Sequence, residues 1–176
     1  MKSNSCFLQK KFLHKKCMIL ILLIVFGGLF KAQRTLTVGG TNWTVTIPSI
    51  TEAGSNYAGT YESATNQILL AASVPLLLGN AKVSVHYQAN PTWHNSLVLS
   101  AKRTGDGTTA CVLCTISGGT TYQTLTLTDV ELFRITATLA LAAYSNIPIQ
   151  LQLSGVSVTI PAATYQSSVV FTISSI

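Results

Sequence analysis

Two cysteines three positions apart, Cys111-Val-Leu-Cys114, are the sharpest chemical feature of this chain. In an oxidising compartment such a pair closes a disulfide. Residues three apart on an extended strand lie about 10 Å apart. A disulfide needs its Cα atoms within about 7 Å. A bonded pair therefore predicts a turn or bulge at this point and a structural staple. A thioredoxin-like redox pair would need a helix N-terminus to lower the thiol pKa, and Thr109-Ala110 ahead of a β-rich run supplies none. Free or intermolecular thiols are the remaining alternative.

Other chemistries find fewer residues. Zinc could draw on Cys111, Cys114, His86 and His94, but a closed site needs four converging ligands, and these stand on separate runs. His86 shares a polar face with Ser84 and Gln88 and reads as solvated. No Gly-x-Ser-x-Gly elbow supports a hydrolytic serine. Paired carboxylates could come only from Glu52, Glu62, Asp106, Asp129 and Glu131, and nothing brings two together. The expectation is a protein without catalytic, metal or cofactor sites. Residues suited to contact are better represented. Trp93-His94 lies beside Pro91 in a loop-like stretch, and Tyr57 and Tyr61 lie in a long polar connection. Exposed aromatics of this kind stack on glycans or anchor protein partners. The alternative places Trp93 as a cover for one end of a core.

Charge narrows the partners. Six of the 11 Lys and Arg fall in residues 1–32, leaving Arg34, Lys82, Lys102, Arg103 and Arg134 against five acids. Lys102-Arg103, the one adjacent basic pair after residue 32, reads as a solvated strand end. Nucleic-acid binding needs clustered bases to neutralise phosphates, so none is expected. Residues 1–32 show a basic head (Lys2, Lys10, Lys11, Lys15, Lys16), an apolar run from Cys17 to Phe26, and a small-residue exit. That is the layout of a secretory signal peptide, with cleavage expected after Ala32. The protein is accordingly expected in the periplasm, outside the cell or at its surface, with membrane contact only through the export signal. Retention of the apolar run as an anchor is the alternative.

Residues 33–176 suit one domain. Period-two alternation is the dominant signal. It marks Trp43 to Ile47, Val83 to Tyr87, Leu125 to Leu127, Ile149 to Leu153, Val156 to Ile160 and Val169 to Ile173. An antiparallel sheet with one wet face reads this way. Gly39-Gly40, Asp106-Gly107 and Gly118-Gly119 read as tight turns between runs. Pro75, Pro148 and Pro161 read as strand edges or starts. The expectation is an all-β, antiparallel, two-sheet immunoglobulin-like sandwich of seven to nine strands, behind a signal-peptide helix. Ser49 to Asn66 reads as a long connection. Val130 to Tyr144 fits either a short helix or a strand pair.

The last segment, Asn146 to Ile173, carries an Ala163-Thr164-Tyr165 step into a final alternating strand. It resembles the C-terminal strands of the spore coat protein U family and of chaperone–usher fimbrial subunits. The resemblance implies an exported, incomplete immunoglobulin-like sandwich completed by a strand from a neighbouring subunit. It makes Gln33 to Val38 the candidate donor strand, with Leu36 and Val38 as inward plugs. It also implies self-assembly, or assembly with other surface proteins. The alternative is a self-contained secreted module that binds a glycan or a protein.

Overall fold

The computed structural model describes residues 33–57, 59–75, 79–137 and 142–176. The expected export segment, residues 1–32, lies outside the described residues. So do residues 138–141 of the ambiguous Val130 to Tyr144 stretch.

Eleven strands, and no helix, occur among the described residues. They are β1 (Thr35–Gly40), β2 (Thr60–Glu62), β3 (Ile68–Val74), β4 (Asn80–Ala89), β5 (Val98–Arg103), β6 (Thr108–Thr109), β7 (Cys114–Ser117), β8 (Gln123–Thr124), β9 (Val130–Ala137), β10 (Ala142–Ser154) and β11 (Ser167–Ser175). One sheet runs β1-β3-β10-β5-β8, with β2 and β6 also on β10. The second runs β11-β4-β9-β7. All pairings are antiparallel. Both sheets keep open edges, so neither closes into a barrel.

Alternation produces this architecture wherever the apolar set is β-branched or bulky. Along β3, Ile68, Leu70, Ala72 and Val74 point inward while their neighbours are only half-buried. Val83 and Val85 on β4, Phe133 and Ile135 on β9, and Ile147 and Ile149 on β10 meet them in one core. Each such side chain contributes about 1.5–3 kcal/mol on burial.

Where alternation lacks a partner strand, it misleads. Trp43 to Ile47 alternate in burial but form no ladder; Trp43 packs on the core from an irregular segment. Val156 to Ile160 do not form a strand. They close a turn, with Ile160 N–H donating to the Ser157 carbonyl at 3.1 Å, and Val158 is exposed. Leu125 to Leu127 is a crossing between sheets. Leu125 N–H donates to Leu99 O at 2.9 Å in the first sheet, and Thr126 O accepts from Tyr87 N–H at 3.0 Å in the second. Leu125 is therefore buried and Leu127 exposed. The count exceeds the expected seven to nine because β2, β6 and β8 are fragments of two or three residues.

The helix alternative for Val130 to Tyr144 is replaced by β9 and the start of β10. Gly39-Gly40 is no hairpin: both glycines lie in β1, opposite Leu69 and Ile68. Pro148 sits inside β10 opposite Leu69, just past an irregularity between Tyr144 and Ile147. Asn146 there adopts φ 54°, a left-handed conformation that asparagine tolerates. A missing N–H does least harm beside such a bulge.

Candidate functional site

Registers place three connections at one end of the sandwich. β10 ends with Ser154 opposite Thr60 on one side and Val98 on the other. The segment before β2, the β4–β5 loop and the β10–β11 loop therefore meet there. Asn56 Oδ1 accepts from Val158 N–H at 3.3 Å, joining the first to the third. Gly155 adopts φ +81° with a Ser96 carbonyl where a Cβ would stand, so the third packs on the second as only glycine permits.

This end carries the aromatic residues that the sequence singles out. Trp93 is half-buried, packs on the core and lies 5.9 Å from the Tyr87 ring at 46°. His94 meets Tyr165 edge-on, 6.0 Å between ring centres. Tyr165 donates its hydroxyl hydrogen to Pro161 O at 2.5 Å, and His94 Nδ1 accepts from Ser96 N–H at 3.2 Å. Tyr57 lines a shallow open recess with Pro48, Ile50, Thr51, Glu52 and Asn56. Tyr61 is held in β2 opposite Leu153. Trp93 and His94 thus support the end of the core and offer only part of their rings to solvent.

The opposite end carries the cysteines. β6 pairs with Tyr144 and Ser145 near the start of β10, and Cys114 opposes Ala137 at the end of β9. Cys111 and Cys114 are bonded across a turn, with Cα atoms 5.5 Å apart. The bonded turn lifts Val112 and Leu113 into solvent at 93% and 65% exposure. The sequence reading missed them. Its available signal was that no Asp, Glu, Lys, Arg or His occurs from Gly107 to Thr128.

Arg103 corrects another expectation. It is only 4% exposed rather than solvated. Its Nε and Nη2 donate to Gly118 O at 3.1 and 2.9 Å, and its Nη1 to Gly105 O at 3.0 Å and to the Asp106 carboxylate. Gly118 and Gly119 both have positive φ, so one guanidinium satisfies a turn that folds back after β7. Neighbouring Lys102 stays at the surface, its Nζ 4.3 Å from the centre of the Tyr122 ring. Burial, then the Glu62 carboxylate, pushes the Tyr122 phenol up to about 12.

His86 is paired rather than merely solvated: its Nδ1 lies 2.5 Å from Asp129 Oδ1. Register explains this, because Val130 opposes Val85 in an antiparallel pair, and Asp129, the residue just before β9, therefore comes beside His86. Glu131 and Arg134 form a two-pronged exposed pair at 2.5 and 2.9 Å, and the guanidinium holds the Glu131 carboxyl below its usual range. Among the described residues, no three His, Cys, Asp or Glu converge as metal ligands.

The candidate donor strand lies within its own chain. β1 adds to the edge of β3, Thr35 opposite Ser73 through Gly40 opposite Ile68. Leu36 packs against the core, whereas Val38, expected to plug inward beside it, stands 52% exposed. Arg34 anchors the strand across the sandwich by donating from Nε and Nη2 to Asn80 O at 3.1 and 2.9 Å. Comparison with protein-family models, with curated proteins and with solved structures finds no match to this chain.

Proposed function

We propose that the protein acts outside the cytoplasm as a structural or interaction subunit of the cell surface, assembled by exchange of β1 between copies in the manner of coat or fimbrial subunits. One observation carries this reading. β1 is an edge strand with a single partner, β3, and residues 41–59 separate it from β2. Releasing it breaks one ladder, the Arg34 anchor, the Thr41–Gln67 bonds and the core contacts of Leu36 and Trp43, and leaves the pairings among β2 to β11 in place. Once Trp43 and the Asn56–Val158 bond let go, the nineteen residues between β1 and β2 could span roughly 60 Å if extended, enough to seat β1 on a neighbour. The export layout of residues 1–32 and the balanced charge of the remainder agree with a role at the surface.

A second reading, a self-contained module binding a glycan or a protein, is favoured by the three connections gathered around Trp93, His94 and Tyr57. One experiment separates them. Leu36 and Ala72 face one another in register. A Leu36→Cys/Ala72→Cys chain, oxidised and run on a denaturing gel, yields covalent dimers and higher ladders under exchange. An exclusively intramolecular bond in every preparation removes exchange and leaves the binding module.

A further inference from the structure

The outer edge of β7 forms a second surface, unrelated to β1. Among the described residues, β7 pairs with β9 on one side only. Soluble proteins blunt such edges with Lys, Pro or a bulge. Here none of these three is present, and only the strand's length of four residues limits pairing: the four register pairs to β9 run without a shift, and the surrounding stretch from Gly107 to Thr128 holds neither charge nor proline. At the head of the strand, the disulfide fixes Val112 and Leu113 in solvent. Scattered apolar residues need no account, but an apolar pair stapled beside an unprotected edge is a made surface.

We infer that this edge is a homodimer interface. Two copies pair β7 antiparallel about a twofold axis, joining their second sheets. Antiparallel pairing carries Val112 and Leu113 of each copy toward the Gly118-Gly119 turn of the other, which has no side chains to obstruct them. The second copy is the occupant for electrostatic reasons. An uncharged strand meets its twin without opposing like charges. Five bases against five acids in residues 33–176 leave no net repulsion between copies. A twofold contact also covers both exposed tips at once and closes on itself. A lipid surface fits less well, because the stretch from Gly107 to Thr128 that carries the tip holds no Lys or Arg to meet anionic headgroups.

The test uses the full chain, recovered from an exporting host, with β1 locked by the Leu36→Cys/Ala72→Cys bond. Only the fraction that runs as a monomer on a non-reducing denaturing gel, its new bond closed within one chain, is carried forward, so any dimer it forms uses another surface. Sedimentation equilibrium of the locked chain is expected to show dimers. Val112→Asp/Leu113→Asp, and separately Thr115→Lys on the exposed face of β7, are expected to raise the dissociation constant by more than about a hundredfold, with the circular dichroism of the parent. A locked chain that stays monomeric at high micromolar concentration overturns the inference. So do dimers that survive both variants. Binding of the locked monomer to phosphatidylcholine vesicles, lost with Val112→Asp/Leu113→Asp, would reassign the tip to lipid.

Discussion

Replacing Arg103 with Met removes the guanidinium that holds two loops and keeps most of the aliphatic stem. Its donors reach Gly118 O twice, Gly105 O once and the Asp106 carboxylate. Hydrogen bonds to a charged group contribute about 1.5–3 kcal/mol each, and bonds sharing one side chain do not add. The Gly118 carbonyl loses both donors at once, while Gly105 and Asp106 sit nearer water. Asp106 is 69% exposed, so its carboxylate rehydrates at little cost. The expected loss for Arg103→Met is about 3 kcal/mol, close to 10 °C in Tm for a domain of this size. Asp106→Asn should cost under about 1 kcal/mol, as exposed partners do. Arg103→Lys should fall between, because an ammonium cannot fork to two loops.

Urea unfolding of the three variants gives the comparison directly. The order is the test: Met worst, Lys intermediate, Asn nearly silent. Arg103→Met within about 1 kcal/mol of the parent would show that the turn after β7 holds itself. Asp106→Asn as damaging as Arg103→Met would make the ion pair, and not the carbonyl contacts, the source of stability.

Two further predictions follow the same logic. Converting Cys111 and Cys114 together to Ser opens a loop of four residues, which the chain-entropy account values at about 2 kcal/mol; thermal unfolding of the variant and of the reduced parent should agree, and a loss well beyond that would mean the bond shapes more than its own turn. Tyr122 gives a pH signature. Its phenol is pushed up to about 12, chiefly by burial and then by Glu62, whereas an unfolded tyrosine titrates near pH 10. Between these values the unfolded chain has released the proton and the folded one has not, so stability falls as pH rises through that window. Tyr122→Phe should flatten this alkaline loss, and urea curves equally steep in pH for parent and variant would contradict the assignment.

The sandwich was legible in β4, β10 and β11, whose apolar and polar residues alternate plainly, but not in β3, where Leu69 and Ala71 blur the alternation, and only as one of two alternatives in β9. Val83 and Val85, and Ile149 and Leu151, are read correctly because β4 and β10 lie between neighbours. Trp43 to Ile47 and Val156 to Ile160 carry the same period without the ladder. Periodicity reports which side chains avoid water, and it is silent on where backbone N–H groups find carbonyls. The crossing at Leu125 to Leu127 shows the limit well. Its two ladder-like bonds go to different sheets, an arrangement no local pattern encodes. Arg103 was misread for a related reason: a cation at a strand end is ordinarily solvated, and only the return of Gly118 and Gly119 onto it supplies the buried carbonyls.

The contact surfaces were harder, and the reason is physical. Aromatic residues in polar loops draw attention, yet Trp93 is tied to Tyr87 and the core. Val112 and Leu113 draw none, because the chemistry of that stretch belongs to the two cysteines that flank them. A four-residue disulfide ring is too small to fold its own side chains inward, since both sulfurs occupy the inner side of the turn. Intervening residues of such a ring must point outward unless another element covers them. Whatever stands between closely spaced bonded cysteines on an edge is thus presented, not packed. Here that position holds a valine and a leucine, in a stretch that forgoes every charge able to keep a second copy away.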